Sequence, residues 1–109
     1  MALTIPELTE AMNAFVRAKG WYDPTSPHPQ TLRNLAISLS LEAGEVLEHF
    51  QWRDKTADNL GNVERVGLSS ELADVALYLL QLASLSGIDL EQAIIDKLNV
   101  NYTRTWENK

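Results

Sequence analysis

A chain of 109 residues with 45% hydrophobic and 22% charged residues suits one folded domain, residues 1–109, with a modest core. Its formal charge of −6 excludes the basic footprint needed to hold a nucleic-acid backbone, and the lack of cysteine excludes disulfides, thiolate metal sites and thiol nucleophiles. No basic segment leads a long apolar run and no stretch reaches about 18 uninterrupted apolar residues, so the expectation is a cytoplasmic protein without a membrane partner.

Thr4 with Glu7 reads as a capping box and Leu3 can staple against Leu8, which predicts a first helix from about Pro6 to Lys19, ending at Gly20. The following "WYDPTSPHPQ" is rich in proline and reads as a loop. A second helix is predicted from Thr31 or Leu32 to about Trp52, with Leu32, Leu35, Leu39, Ala43, Val46, Leu47 and Phe50 on one face. Asn34, Ser38, Leu41, Glu42, Glu45, His49 and Trp52 fall on an adjoining stripe.

The polar, glycine-containing "RDKTADNLGNVERVG" reads as a connection with room for a short helical turn. A third helix is predicted from about Ser69 to Ser86, apolar nearly all round, which implies burial on several sides. Asp89 with Gln92 caps a fourth helix, running from about Leu90 into "IIDKLNVNYTRTW". Strand signals are absent. The predicted class is all-α, an antiparallel four-helix bundle.

Glu42 and Glu45 on the second helix, and Glu71 and Asp74 on the third, each stand at i and i+3, with Glu48 three residues further on. Residues 34–52 and 66–96 contain no Lys or Arg to compensate them. Acids beside a core are costly without a cation, so the pairs fit either a solvated helix surface or a site for a hard divalent ion, Mg²⁺ first and Mn²⁺ next. A di-iron bundle would want Glu-x-x-His motifs, which do not occur.

With these acids in "RNLAISLSLEAGEVLEHFQW", "SSELADVALYLLQLASLSGIDL" and "IIDKLNVNY", the chain resembles the MazG-like all-α nucleoside triphosphate pyrophosphohydrolases, in particular the small branch that acts on dCTP, over roughly residues 21 to 104. The resemblance implies hydrolysis of a nucleoside triphosphate between the α- and β-phosphates, in cleansing the nucleotide pool, with Mg²⁺ held by Glu42, Glu45, Glu71 and Asp74. Glu45 or Glu48 is the candidate general base or outer partner. The resemblance also sets Lys97 and Asn101 at substrate-contacting positions, adds Arg33 and Asn34 at the start of the second helix, and matches Trp21, Trp52 and Tyr78 to aromatic positions around a nucleobase. Arg104 extends the row of Lys97 and Asn101 and fits a helix-dipole role equally well.

The resemblance departs at one place: "HPQTLRN" puts Gln30 and Leu32 where relatives often have His and Pro, and moves a histidine to His28. His28 reads as a surface residue, and His49 as a helix-surface or interface residue rather than a ligand. A third helix so apolar, in so short a chain, predicts a homodimer; the resemblance adds a homotetramer. The competing class is a non-catalytic helical module that binds a nucleotide or a protein, which would not require four convergent carboxylates.

Overall fold

Local hydrogen bonds start the helices where the capping residues predict. In the computed structural model, which describes residues 2–104, Thr4 Oγ1 accepts from Glu7 N at 3.2 Å while Glu7 Oε1 accepts from Thr4 N at 2.9 Å, opening α1 (Ile5–Ala18). Thr31 Oγ1 accepts from Asn34 N at 3.1 Å to open α2 (Leu32–Glu48). Asp89 Oδ1 does the same for Gln92 N at 3.0 Å, opening α4 (Leu90–Thr103). The described residues hold no strand, and the class is all-α.

Two glycines end helices as the pattern requires. Gly20 and Gly87 take φ of +75° and +69°, the left-handed conformation that glycine adopts without steric cost. Each forms a Schellman closure, with Trp21 N donating to Val16 O at 3.2 Å and Ile88 N donating to Ala83 O at 2.9 Å. The first closure fixes where Trp21 leaves α1.

Two boundaries differ from expectation. α2 stops at Glu48 rather than Trp52, because from His49 onward the backbone winds more tightly: His49 N bonds Val46 O and Phe50 N bonds Leu47 O, at 3.3 and 2.9 Å. These i→i−3 bonds turn the chain away although Phe50 and Trp52 keep a helical spacing. The third helix, α3 (Asn62–Leu85), begins well ahead of Ser69. Glu64 Oε1 accepts from Gly61 N at 3.0 Å and substitutes for a side-chain cap that glycine lacks. A single 3-10 turn, Ala57–Asn59, precedes it.

Gly67 sits inside α3 where the chain approaches closely, since a Cβ there would lie 3.1 Å from His49 Cε1. His49, the C-cap of α2, thus packs against α3 at Gly67.

The centre is small. Met12 and Val16 of α1 meet Leu80 of α3, with Ile5, Tyr22 and Leu90 packed against them. Leu35 of α2 is 2% exposed. α3 touches all three other helices, whereas α2 packs against α3 alone. Within one chain the expected burial of α3 on several sides is not met: Leu80, Gln81 and Ala83 are buried, while Leu72, Leu77, Leu79 and Leu85 stay substantially exposed. The radius of gyration, 16.9 Å, exceeds the roughly 13 Å of a compact domain this size.

Leu35→Ala should lower the unfolding free energy by about 2 to 5 kcal/mol through lost contacts and a residual cavity, and Thr31→Ala by about 1 kcal/mol through a lost cap. Urea denaturation followed by circular dichroism checks both, and an equal effect of the two would contradict this assignment of the core.

Candidate active site

The pairing of α2 with α3 brings the acids together. Ligand oxygens of Glu42, Glu45 and Glu71 lie within 4.8 Å of one another. Asp74, one turn on from Glu71, is close enough for its charge to act on both Glu42 and Glu71. Glu48 is exposed and stands outside this group.

The electrostatics record the crowding. Glu42 is pushed up to about 7, first by its hydrogen-bonding contact with Glu45, then by burial and by the charges of Glu45, Asp74 and Glu71. Glu71 is raised for related reasons, again led by Glu45. No lysine or arginine figures among the groups acting on either. The ion pairs near this end of α3 lie elsewhere, joining Glu64 to Arg53 and Lys55 at 3.4 and 3.5 Å.

One oxygen of Glu42 and one of Glu71, the Oε2 atoms, are shielded from water and accept no hydrogen bond. Unsatisfied buried carboxylate oxygens are expensive. A cation coordinated by them would satisfy both, and an all-oxygen donor set without thiolate or imidazole suits a hard divalent ion. These residues therefore fit a metal.

Beside the acids opens a cleft of about 930 Å³ between α1, the loop after it, α2 and α3. Of the expected residues Trp21, Asn34 and Tyr78 line it, and so does Asp74, which places the cleft next to the carboxylates. Trp21 stands edge-on to Phe15, ring centroids 5.6 Å apart. The loop is anchored: Asn34 Nδ2 donates to Pro29 O at 3.0 Å, and Tyr22 Oη donates to Asn13 Oδ1 at 2.6 Å.

Other expected residues lie apart. Trp52, 86% exposed, lines a separate depression with Arg53 and Lys55. Its distance from the cleft follows from the early end of α2. Arg33 is exposed on the first turn of α2, and Lys97, Asn101 and Arg104 lie at the far half and end of α4, none of them lining the cleft. His28 and Gln30 do line it, and so do Phe15 and Gln81. Phe15 has the helical spacing of a core residue, and only its exposure identifies it as cleft wall. Gln81 continues the helical row of Glu71, Asp74 and Tyr78 along α3.

Residues 37–109 match the MazG-like family. The chain is also 34% identical to dCTP pyrophosphatase 1 of Mus musculus over 104 residues, 93% of its own length. The chain belongs to the MazG-like family. It spans 58% of the length of that mouse protein. A dATP/dGTP diphosphohydrolase of Salmonella phage PMBT28 is 33% identical over 88 residues, which cover 81% of this chain and 25% of the phage protein. Among solved structures, a pyrophosphatase from Archaeoglobus fulgidus DSM 4304 superposes with a TM-score of 0.72 at 32% identity, covering 93% of this chain and 91% of that one. MazG-like proteins generally use divalent metals, and the Glu42, Glu45 and Glu71 cluster of this member offers the oxygens for one.

The raised Glu42 gives a signed pH effect. The folded chain holds this proton to about pH 7, whereas the unfolded chain releases it near the ordinary value of 4.5. The folded state therefore binds more protons between those values, and stability of the metal-free protein falls as pH rises through that window. Urea midpoints in EDTA at about pH 5 and about pH 7.5 should show the fall. Glu42→Gln should flatten it, and a divalent cation should restore stability at the higher pH. A midpoint that stays level in the parent protein would refute the crowding.

Proposed function

We propose that this MazG-like chain is a divalent-metal-dependent nucleoside triphosphate pyrophosphohydrolase. It hydrolyses (d)NTPs between the α- and β-phosphates to monophosphate and pyrophosphate and serves to cleanse the nucleotide pool. The observation that carries the reading is the convergence of Glu42, Glu45 and Glu71 within 4.8 Å, where the charges raising Glu42 and Glu71 are all acidic, beside an aromatic cleft that Asp74 also lines. The relatives named for dCTP pyrophosphatase and dATP/dGTP diphosphohydrolase activity support it.

Glu42, Glu45, Glu71 and Asp74 would hold Mg²⁺, or Mn²⁺ in its stead. Such an ion supplies charge neutralisation for the phosphates and a more acidic water. The chain's own residues do the rest. Trp21 and Tyr78 sandwich or edge the base, where stacking contributes about 1 to 3 kcal/mol. Asn34, beside them, meets the sugar or phosphate, with Arg33 outside it. Glu45, in contact with both Glu42 and Glu71, accepts the proton of the attacking water, and Glu48 acts as an outer partner. The new P–O bond forms as the bond to the bridging oxygen breaks, and pyrophosphate carries away the negative charge.

Lys97, Asn101, Arg104 and Trp52 enter this reading through assembly. We infer a homodimer, with dimers able to pair into tetramers, in which a second copy brings such residues to the phosphates and closes the antiparallel bundle. The open apolar faces of α3 support it, as does an accessible surface of 8357 Å², against roughly 6,000 Å² for a compact chain of this mass.

Product analysis over a panel of canonical and modified (d)NTPs should give monophosphate plus pyrophosphate, lost in EDTA. Diphosphate plus phosphate would refute the cleavage position, and retained binding without turnover would favour a non-catalytic nucleotide-binding module. Glu42→Gln and Asp74→Asn should lower turnover on the order of 100-fold or more while remaining folded by circular dichroism. Light scattering after size exclusion should report a dimer or tetramer, and a stable monomer with full activity would contradict the shared site.

A further inference from the structure

Gln81 is the one fully buried polar side chain among the described residues, 4% exposed. It lies one turn beyond Tyr78 and lines the cleft opposite the loop before α2. Its Nε2 donates to Gln30 Oε1 at 2.7 Å, and Gln30 Nε2 donates in turn to the His28 carbonyl oxygen at 2.7 Å. Two amides thus form a relay from the central helix to the loop, across a wall whose apolar part includes Met12, Phe15, Leu35 and Leu77.

A buried amide carries a desolvation penalty that its hydrogen bonds only offset, and two apolar side chains would fill the same space without it. Loop attachment alone does not require the relay, because Asn34 and Tyr22 already anchor that segment through Pro29 and Asn13. What an amide adds to an apolar, aromatic cleft is direction. After the two observed bonds Gln30 keeps a second N–H and a second oxygen lone pair, a donor and an acceptor available to the polar edge of a planar heterocycle. A few fixed polar groups in a largely apolar pocket are what orient a ligand and set its specificity.

We propose that the Gln30–Gln81 pair is the element that sets nucleobase preference in this cleft, with Gln30 meeting the polar edge of the base and Gln81 positioning it. The inference rests on the cleft holding a nucleotide, as in the proposed function.

The test separates the pair from the reaction. Affinities of non-hydrolysable α,β-methylene analogues of the four common dNTPs are measured by calorimetry for the parent protein, Gln30→Met and Gln81→Met, substitutions that keep side-chain length and apolar volume. The parent should prefer one base by about 10-fold or more, and both variants should lose most of that preference. In turnover with the natural dNTPs the loss should appear in KM ratios between bases, not in the kcat of the preferred one. Equal weakening for all four analogues, or a lowered melting temperature with the base ranking intact, would show a merely structural relay and overturn the proposal. A parent that binds all four alike would overturn it too. Base-selective binding that both variants lose, in a protein that hydrolyses no nucleotide, would uphold the pair and refute the pyrophosphohydrolase.

Discussion

Contact between α2 and α3 across a group of like charges is the constraint on which the rest depends. Glu42, Glu45 and Glu71 converge where the two helices meet, and among the described residues α3 is the one helix against which α2 packs. Their mutual repulsion therefore bears directly on the packing that creates the site. The metal-free protein relieves the strain by keeping a proton on Glu42 near neutrality. A group held in that state is poised to exchange its proton for a cation, since ligation requires the deprotonated form. Apolar contacts such as that of Leu35 hold α2 in place meanwhile.

The second built element is the proline-rich loop between α1 and α2. It begins at a left-handed Gly20 that directs Trp21 across Phe15. Within it Asp23 Oδ1 accepts from both the backbone and the hydroxyl of Thr25, at 2.9 and 2.7 Å. Side-chain bonds from Asn34 and Gln81 then secure its far end. A loop tied at both ends forms a wall of fixed shape, and a preformed wall allows a binding cleft to discriminate without first being ordered.

Legibility followed the range of the interaction. Helix starts at Thr4, Thr31 and Asp89 were readable because each cap closes within three residues. The start of α3 was not, since Gly61 offers no capping side chain and the place of Gly67 against His49 is a tertiary fact. Phe50 and Trp52 kept the helical period past the true end of α2, so periodicity overran the backbone. The acids were legible because missing cations are visible in a string of letters. Phe15 as cleft wall was not, because apolar spacing marks a face without saying whether a core or a cleft lies opposite.

The incompleteness of the single chain has a functional logic under the proposed reading. In that reading Lys97 and Arg104 would offer positive charge to a triphosphate in a protein of net charge −6, though neither lines the cleft. If such cations stood permanently beside Glu42 and Glu71 in one chain, they would neutralise the carboxylates and weaken the demand for a metal. A second copy that supplied them would leave the acids of one chain mutually repelled in the absence of an ion. The same exposed leucines of α3 that leave one chain unfinished would then couple burial of apolar surface to completion of the site, so that stability and activity arise in one assembly step.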